Sequence, residues 1–496
     1  MEDIEILLKK SRRIVFDIEE IIRWHYGWID LIDERLIAHA AYDNLLECMG
    51  TQCKAGDQVN NSAGRIPVVW LLWPIAKLIY HIFVSRVHNL FKKHNLSAIS
   101  DAILILPGVI SLPNLLSRLE ENLKAHYFCV SMTATSDNIP WEIKQLSDTT
   151  FPPHIEGFLS FRDVLWFMRI MTRVATGRSE FVKDIRARVF SKYNINNPAV
   201  IKKIINTIFY SIFDNIEYCL IGKKIVKNCP RALISEIANY GKIAYVMSYV
   251  GKKNIMTIGL QHGVIIDPFE YLPASEYFGC PSTYALKRLK DLECPVERKT
   301  HYFLSGLPEQ MTSKVIFTDH RRATALVDSN ERIRMYKRQS IEILQKSKKI
   351  NELPVLYIKS HPRASNAMKI ENLFTLPNYR SMGISDWDDF SRRINVAITF
   401  SFDAVYELLI RKIVTIVINP SKRFYPGDYT ILNNLKFVCS SEELDSILSD
   451  ILDEKIIWNK SEEQEITDYL SYVFGKYDNS LYRNAVKEII DSASQQ

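Results

Sequence analysis

Between residues 102 and 440 this chain repeatedly places a short, continuously apolar run before a polar loop and a helix-length stretch. Strands of a parallel sheet are buried on both faces, so they read as unbroken apolar runs. Such runs alternating with helices predict βαβ units and hence open parallel sheets. Ala102–Leu106 with Pro107-Gly108, a helix over Leu115–Leu123 and a second run Ala125–Val130 form the first unit. Arg231–Ile234, a helix over Ile237–Val250, Asn254–Leu260, Glu276–Pro281 and Tyr302–Pro308 continue it. From about residue 310 the alternation restarts: a helix over Arg332–Lys346, strands at Pro354–Ile358 and Val396–Ser401, a helix at Ala404–Leu409, and strands at Val414–Ile418 and Leu435–Cys439.

The expected fold class is therefore α/β, with two Rossmann-like domains facing a central cleft and a helical N-terminal extension. Residues 1–95 form the extension and 96–308 the first domain, with a helical insertion at about 155–228. Residues 309–470 form the second domain and 471–496 a C-terminal helix. Hydrophobic residues at 47% and charged residues at 24% exclude a disordered or fibrous chain. A net charge of +6 without a concentrated basic face argues against a nucleic-acid partner, but suits an anionic ligand or membrane surface.

Eight cysteines without a C-x2-C pair read as free thiols of a reducing compartment. The acidic start Met1-Glu2-Asp3 predicts no signal peptide and a cytoplasmic location. Ile66–Val84 approaches the length of a membrane span, yet Pro67, Pro74, Lys77 and His81 interrupt it. It reads first as a buried helical hairpin. The alternative is an interfacial helix pair, with Trp70, Trp73 and Tyr80 at headgroup level on the inner face of the cytoplasmic membrane.

Ligands of open parallel sheets bind outside the carboxyl ends of the strands. Three strand ends carry chemistry there. The first is Gln261-His262-Gly263, where glycine permits close approach and histidine can donate to an anion or shuttle a proton. The second holds Lys359, His361, Pro362 and Arg363, a cationic cluster suited to one phosphate, with proline restricting the histidine before it. The third is Ser401-Phe402-Asp403 with Glu407, a strand-to-helix junction whose first N–H groups favour an anion. Asp386-Trp387-Asp388 reads as a solvated acidic loop, and no His or Cys grouping predicts a metal.

On Leu260-Gln261-His262-Gly263, Lys359-Ser360-His361-Pro362-Arg363 and the Ser401-Phe402-Asp403…Glu407 junction, the chain resembles the bacterial GT-B glycosyltransferases of capsule and lipopolysaccharide synthesis. The His-Pro pair is similar to that of Kdo and sialic acid transferases, which use CMP-activated donors. The resemblance implies that His361, Pro362 and Ser401 bind donor phosphate and that Glu407 contacts the ribose or base edge. It implies a glycan or glycolipid acceptor, a nucleotide sugar as substrate and no cofactor or metal. Those families carry their acidic base in an Asp-Asp-Gly turn, which this sequence lacks; His262, Glu236 and Asp267 are the candidate catalytic residues. A CDP-polyol phosphotransferase, a sugar-nucleotide 2-epimerase and a non-catalytic GT-B scaffold are the alternative functions.

Overall fold

The apolar runs become two parallel sheets. The computed structural model describes residues 4–29, 33–42, 45, 68–90, 103–106, 125–127, 155–235, 241–261, 273–290, 300–306, 323–327, 334–353, 356–359, 379–381, 387–400, 402–420, 432–453, 455, 457–476 and 479–493. The helices 115–123 expected from the sequence, and the polar segment 50–64, lie outside these residues.

The N-terminal helices are α1 (Ile4–Tyr26), α2 (Glu34–His39) and α3 (Val68–Leu90). Strands β1 (Ile103–Leu106) and β2 (Ala125–Tyr127) follow, then the long helices α4 (Phe161–Ile185) and α5 (Pro198–Lys227). Strand β3 (Ala232–Ser235), helix α6 (Gly241–Gly251), β4 (Met256–Leu260), β5 (Tyr277–Cys280), α7 (Thr283–Lys290) and β6 (His301–Leu304) complete the first α/β unit. The second contains β7 (Thr324–Val327), α8 (Arg334–Lys346), β8 (Leu356–Lys359), β9 (Tyr379–Ser381), α9 (Trp387–Ser391) and β10 (Val396–Thr399). It closes with α10 (Phe402–Ile410), β11 (Val414–Ile418), β12 (Leu435–Val438), α11 (Ser441–Leu452), α12 (Glu463–Val473) and α13 (Asn479–Ala493).

Local chemistry sets the ends of the long helices. Ser160 and Asp163 form a capping box at the start of α4, the Asp163 carboxylate accepting from the Ser160 N–H at 2.7 Å. Asn197 caps α5 by accepting from Ala199 N at 2.9 Å, with Pro198 at the first helical position, where a missing N–H costs nothing.

The first sheet has the order β2-β1-β3-β4-β5-β6 and the second β12-β11-β10-β7-β8-β9, every pair parallel. Counted from its own first strand, the second sheet runs 3-2-1-4-5-6 in mirrored listing, the Rossmann order. Two Rossmann-like units with a helical N-terminal part make the fold α/β and GT-B-like.

One face of the first sheet packs, through Leu104, Leu106, Leu233 and Phe278, into a core shared by α1, α2, α4, α5 and α6. The N-terminal helices and the 155–228 segment, separate in sequence, are thus one helical body. Tyr26 of α1 lies against Phe181 of α4 and Phe209 of α5 at ring-centroid distances of 5.3 and 6.4 Å. The other face buries Ile103, Ile105, Ile234 and Ile258 against Val486 and Ile490 of α13. The C-terminal helix therefore returns from the second unit to the first.

The return passes Gly475, whose φ of +100° suits glycine and whose Cβ, if present, would stand 2.0 Å from the Pro281 carbonyl oxygen. Beside it, Phe474 stacks on Phe402 at 5.5 Å, while Tyr284 of α7 meets Tyr472 at 6.0 Å. These aromatic rings join the two units next to the first turn of α10.

Two expectations change. The chain over 68–90 is one helix continuing through Pro74, not a hairpin or helix pair. Trp387 and Asp388 belong to α9, not to a loop. Strands β7 and β9 had no counterpart in the sequence reading. No helix among the described residues is long and apolar enough to cross a membrane.

Candidate functional site

In an open parallel sheet the ligand crevice lies where consecutive connections leave in opposite directions. In the second sheet that point is between β7 and β10, in the first between β1 and β3. The second carries the richer chemistry. Register sets Val327, the last residue of β7, beside Lys359 on one side and Thr399 on the other. In parallel strands, residues level with one another share a face, so Lys359 and Thr399 flank Val327 two strands apart, about 10 Å.

Lys359 is only 9% exposed, and its Nζ lies 5.7 Å from the centre of the Phe390 ring. Thr399 is fully buried and donates its hydroxyl to the Val327 carbonyl at 3.2 Å, tying β10 to β7 at the switch point. A second lysine comes from the opposite face. Lys337, in the first turns of α8, is 2% exposed, with its Nζ 5.8 Å from the Phe400 ring. Lysine is among the residues least often fully buried, because an ammonium loses its hydration there. Two of them lie at one end of one sheet, each over an aromatic face.

Helix α10 starts directly after this row, with Phe402 buried against Phe474. Its amino end points the positive end of the helix dipole toward the same place. Asp403 lies in its first turn. Glu407 stands a turn further on, and its carboxylate is held by Arg411 along the helix, away from the strand end. Contact with a ribose would need that ion pair to open.

Of the other residues singled out in sequence, Gln261 directly follows β4, and its N–H donates to the Gly279 carbonyl at 3.0 Å. His262, Gly263, Glu236, Asp267, His361, Pro362, Arg363 and Ser401 lie outside the described residues. In the chain, Glu236 follows Ser235, the last residue of β3, and His361 comes two residues after Lys359. Lys337 and Thr399 were missed in sequence. A signal for Lys337 existed: with Ser340, Ile341 and Leu344 it falls on the buried stripe of α8, where a lysine is out of place.

Two buried thiols of the first unit are poor nucleophiles. Burial pushes the Cys280 thiol up to about 12, and Cys219 is raised further by the same cause. No group of three or more His, Cys, Asp or Glu side chains suited to a metal occurs among the described residues.

No family model and no curated protein matches this chain. Among solved structures it is similar to the UDP-GlcNAc 2-epimerase of Neisseria meningitidis bound to UDP-GlcNAc, at 11% identity over 80% of this chain and 100% of that one, TM-score 0.42. It is similar also to S. aureus MnaA with UDP, at 10% identity over 80% and 98%, TM-score 0.46. A third is the wall teichoic acid polymerase TagF with CDPG, at 10% identity over 87% and 99%, TM-score 0.39. Likeness at this distance assigns neither family nor activity.

Proposed function

We propose that the chain is a glycosyltransferase that binds a nucleotide-activated sugar at the carboxyl end of its second sheet and transfers the sugar to a glycan or glycolipid. The observation that carries this reading is the Lys359–Val327–Thr399 row at the β7/β10 switch point, reinforced by Lys337 from the other face. Such a place, cationic and beside a helix amino end, suits the phosphate of a nucleotide. His361, Pro362, Arg363 and Ser401 come next in the chain after the same strands, and with Asp403 they would complete the proposed seat.

In the reaction an acceptor hydroxyl oxygen attacks the anomeric carbon. Its proton passes to a base, for which His262, Glu236 and Asp267 of the first unit are the candidates. The bond from the anomeric carbon to the phosphate oxygen breaks, and the electron pair leaves on that oxygen. Lys359 and Lys337 would stabilise the added negative charge. Gln261 and Gly263 would line the acceptor side. The donor best suited by the His-Pro resemblance is CMP-Kdo or CMP-sialic acid, and the chemistry needs no metal. An acceptor in surface polysaccharide synthesis would be met at the inner face of the cytoplasmic membrane.

A thermal-shift panel with CMP, CDP, UDP, GDP and ADP tests the reading. A nucleotide at about a hundred times its Kd adds about 2.7 kcal/mol of stability. Selective stabilisation by CMP supports the acid-sugar donor, and by UDP or GDP another donor on the same seat. No response to any of the five contradicts the proposal. His361→Ala is expected to abolish binding, whereas His262→Ala leaves binding intact and removes turnover.

A further inference from the structure

Helix α3 turns most of its polar side chains inward, among buried Ile75, Leu78 and Ile82. Lys77, His81 and Ser85, one turn apart, face the helical body. Lys77 Nζ lies 3.1 Å from Asp214 Oδ1 and 3.6 Å from Glu217 Oε2, and His81 Nδ1 lies 3.1 Å from Glu217 Oε1. Ser85 is fully buried. The side turned outward carries Ile79, Tyr80, Phe83, Val84 and Val87, with Tyr80 64% and Phe83 66% exposed. A helix facing water ordinarily shows the opposite arrangement.

The apolar face continues onto α4. Arg86 Nη2 donates to the Leu159 carbonyl at 2.7 Å, which ties the end of α3 to the residues just before α4. There Phe161, at 72% exposure, begins an outward stripe with Leu165 and Met168 at spacings of four and three residues. Solitary exposed apolar residues are ordinary, but two adjoining helical stripes are not.

Along α3 and the first turns of α4 the exposed charge is cationic. Helix α3 contains no acidic residue. In the first four turns of α4 the lone acid, Asp163, is bound by Lys224 at 2.7 Å, while Arg162, Arg169 and Arg173 are exposed. Arg173 lies over the Trp28 ring at 3.8 Å, which adds an exposed indole to the rim. Apolar and aromatic side chains with arginines beside them suit the boundary between acyl chains and anionic headgroups.

We propose that the α3–α4 face docks the protein on an anionic phospholipid surface, lying on the bilayer without crossing it. This assigns a surface to the membrane part of the functional reading, but stands on its own observations and needs no glycosyl transfer for its test. The two stripes and their arginine rim are the elements that bind.

Flotation of the purified full chain with phosphatidylcholine vesicles, with and without phosphatidylglycerol, decides it. The protein is expected to float with the anionic vesicles, and less as salt is raised. Tyr80→Ser with Phe83→Ser should weaken partitioning about tenfold or more, since two interfacial rings are lost. Phe161→Ser with Leu165→Ser should do the same from the other helix. Arg162→Glu with Arg169→Glu should remove the preference for phosphatidylglycerol. Failure of the wild type to float with either vesicle, or wild-type flotation of both serine pairs, overturns the proposal. A wild-type dimer in sedimentation that the same serine pairs dissociate would overturn it too, and assign the face to a second copy. Because all four replaced apolar side chains are exposed, the melting temperature should not move.

Discussion

Among the described residues the two parallel sheets match in strand number and differ in the residues that end their strands. The first ends its strands in Leu106, Tyr127, Ser235, Leu260, Cys280 and Leu304, without a cation. The second ends in Val327, Lys359, Ser381, Thr399, Ile418 and Val438, with Lys337 reaching in from α8. In the function proposed above, the second sheet takes the anionic donor and the first supplies the acceptor side and the base. Equal architecture thus carries unequal chemistry: a few side chains at a switch point distinguish the two sheets.

A sharper contrast lies within the second sheet. At its opposite, amino end, Glu462 is also buried, but its carboxylate accepts from Asn433 N at 3.0 Å, Asn433 Nδ2 at 2.6 Å, Asn434 N at 3.1 Å and Asn459 Nδ2 at 3.1 Å. Burial tends to raise this carboxyl, and the backbone and amide donors outweigh it and hold it below its ordinary value. That end is closed by hydrogen bonds inside the fold. The carboxyl end instead gathers ammonium groups over ring faces.

The comparison can be broken or sharpened by mutation, beginning with binding. Lys359→Met should lower nucleotide affinity about 10- to 100-fold and change folding stability by less, because the ammonium that would meet the phosphate is lost. Titration calorimetry and urea unfolding measure the two effects. Equal losses in both would make Lys359 structural.

Gly475→Ala should cost about 2 kcal/mol or more of unfolding free energy, since it meets the Pro281 carbonyl at a φ that glycine alone adopts freely. Urea denaturation checks it. Glu462→Ala should cost about 1–3 kcal/mol, as it strands the Asn433 and Asn434 N–H groups. Nucleotide affinity should be unchanged, which separates the two ends of the sheet.

The smallest effect is that of pH. Asp163, Asp445 and Glu462 are each held below their ordinary carboxyl values by hydrogen bonds that outweigh burial. A depressed folded-state pKa contributes stability that is complete above the unfolded value, about 4. It is lost as pH falls through the folded value. Stability should therefore decline below about pH 4, and less steeply in Glu462→Gln.

Much of the fold could be read along the chain, because buried parallel strands announce themselves as apolar runs. Val414–Ile418 appears in the structure with the bounds read from sequence. The strand that creates the second switch point, Thr324–Val327, did not announce itself. It has four residues, two of them Thr and Ala, and follows His320-Arg321-Arg322, so its apolar signal is weak. What makes it a strand is its place between β8 and β10, which only tertiary structure supplies.

The same holds for destinations. That 479–493 is an amphipathic helix is local information, but that it covers the first sheet is not. Lys77 and His81 looked like interruptions of an apolar stretch. Their spacing of four residues instead makes one inward stripe, paired with Asp214 and Glu217 from a helix over 130 positions away. Of the candidate site, Lys359 was legible from its place at a strand end. Lys337 was less so, because its signal is read only once the buried side of α8 is known.

The second sheet's carboxyl end is proposed as a phosphate seat. This role is tested most directly by calorimetric titration of CMP, CDP and UDP into the wild type, Lys359→Met and Lys337→Met. Binding of at least one nucleotide by the wild type, weakened about tenfold or more in both variants, is the predicted result. Equal affinity in all three proteins would contradict it.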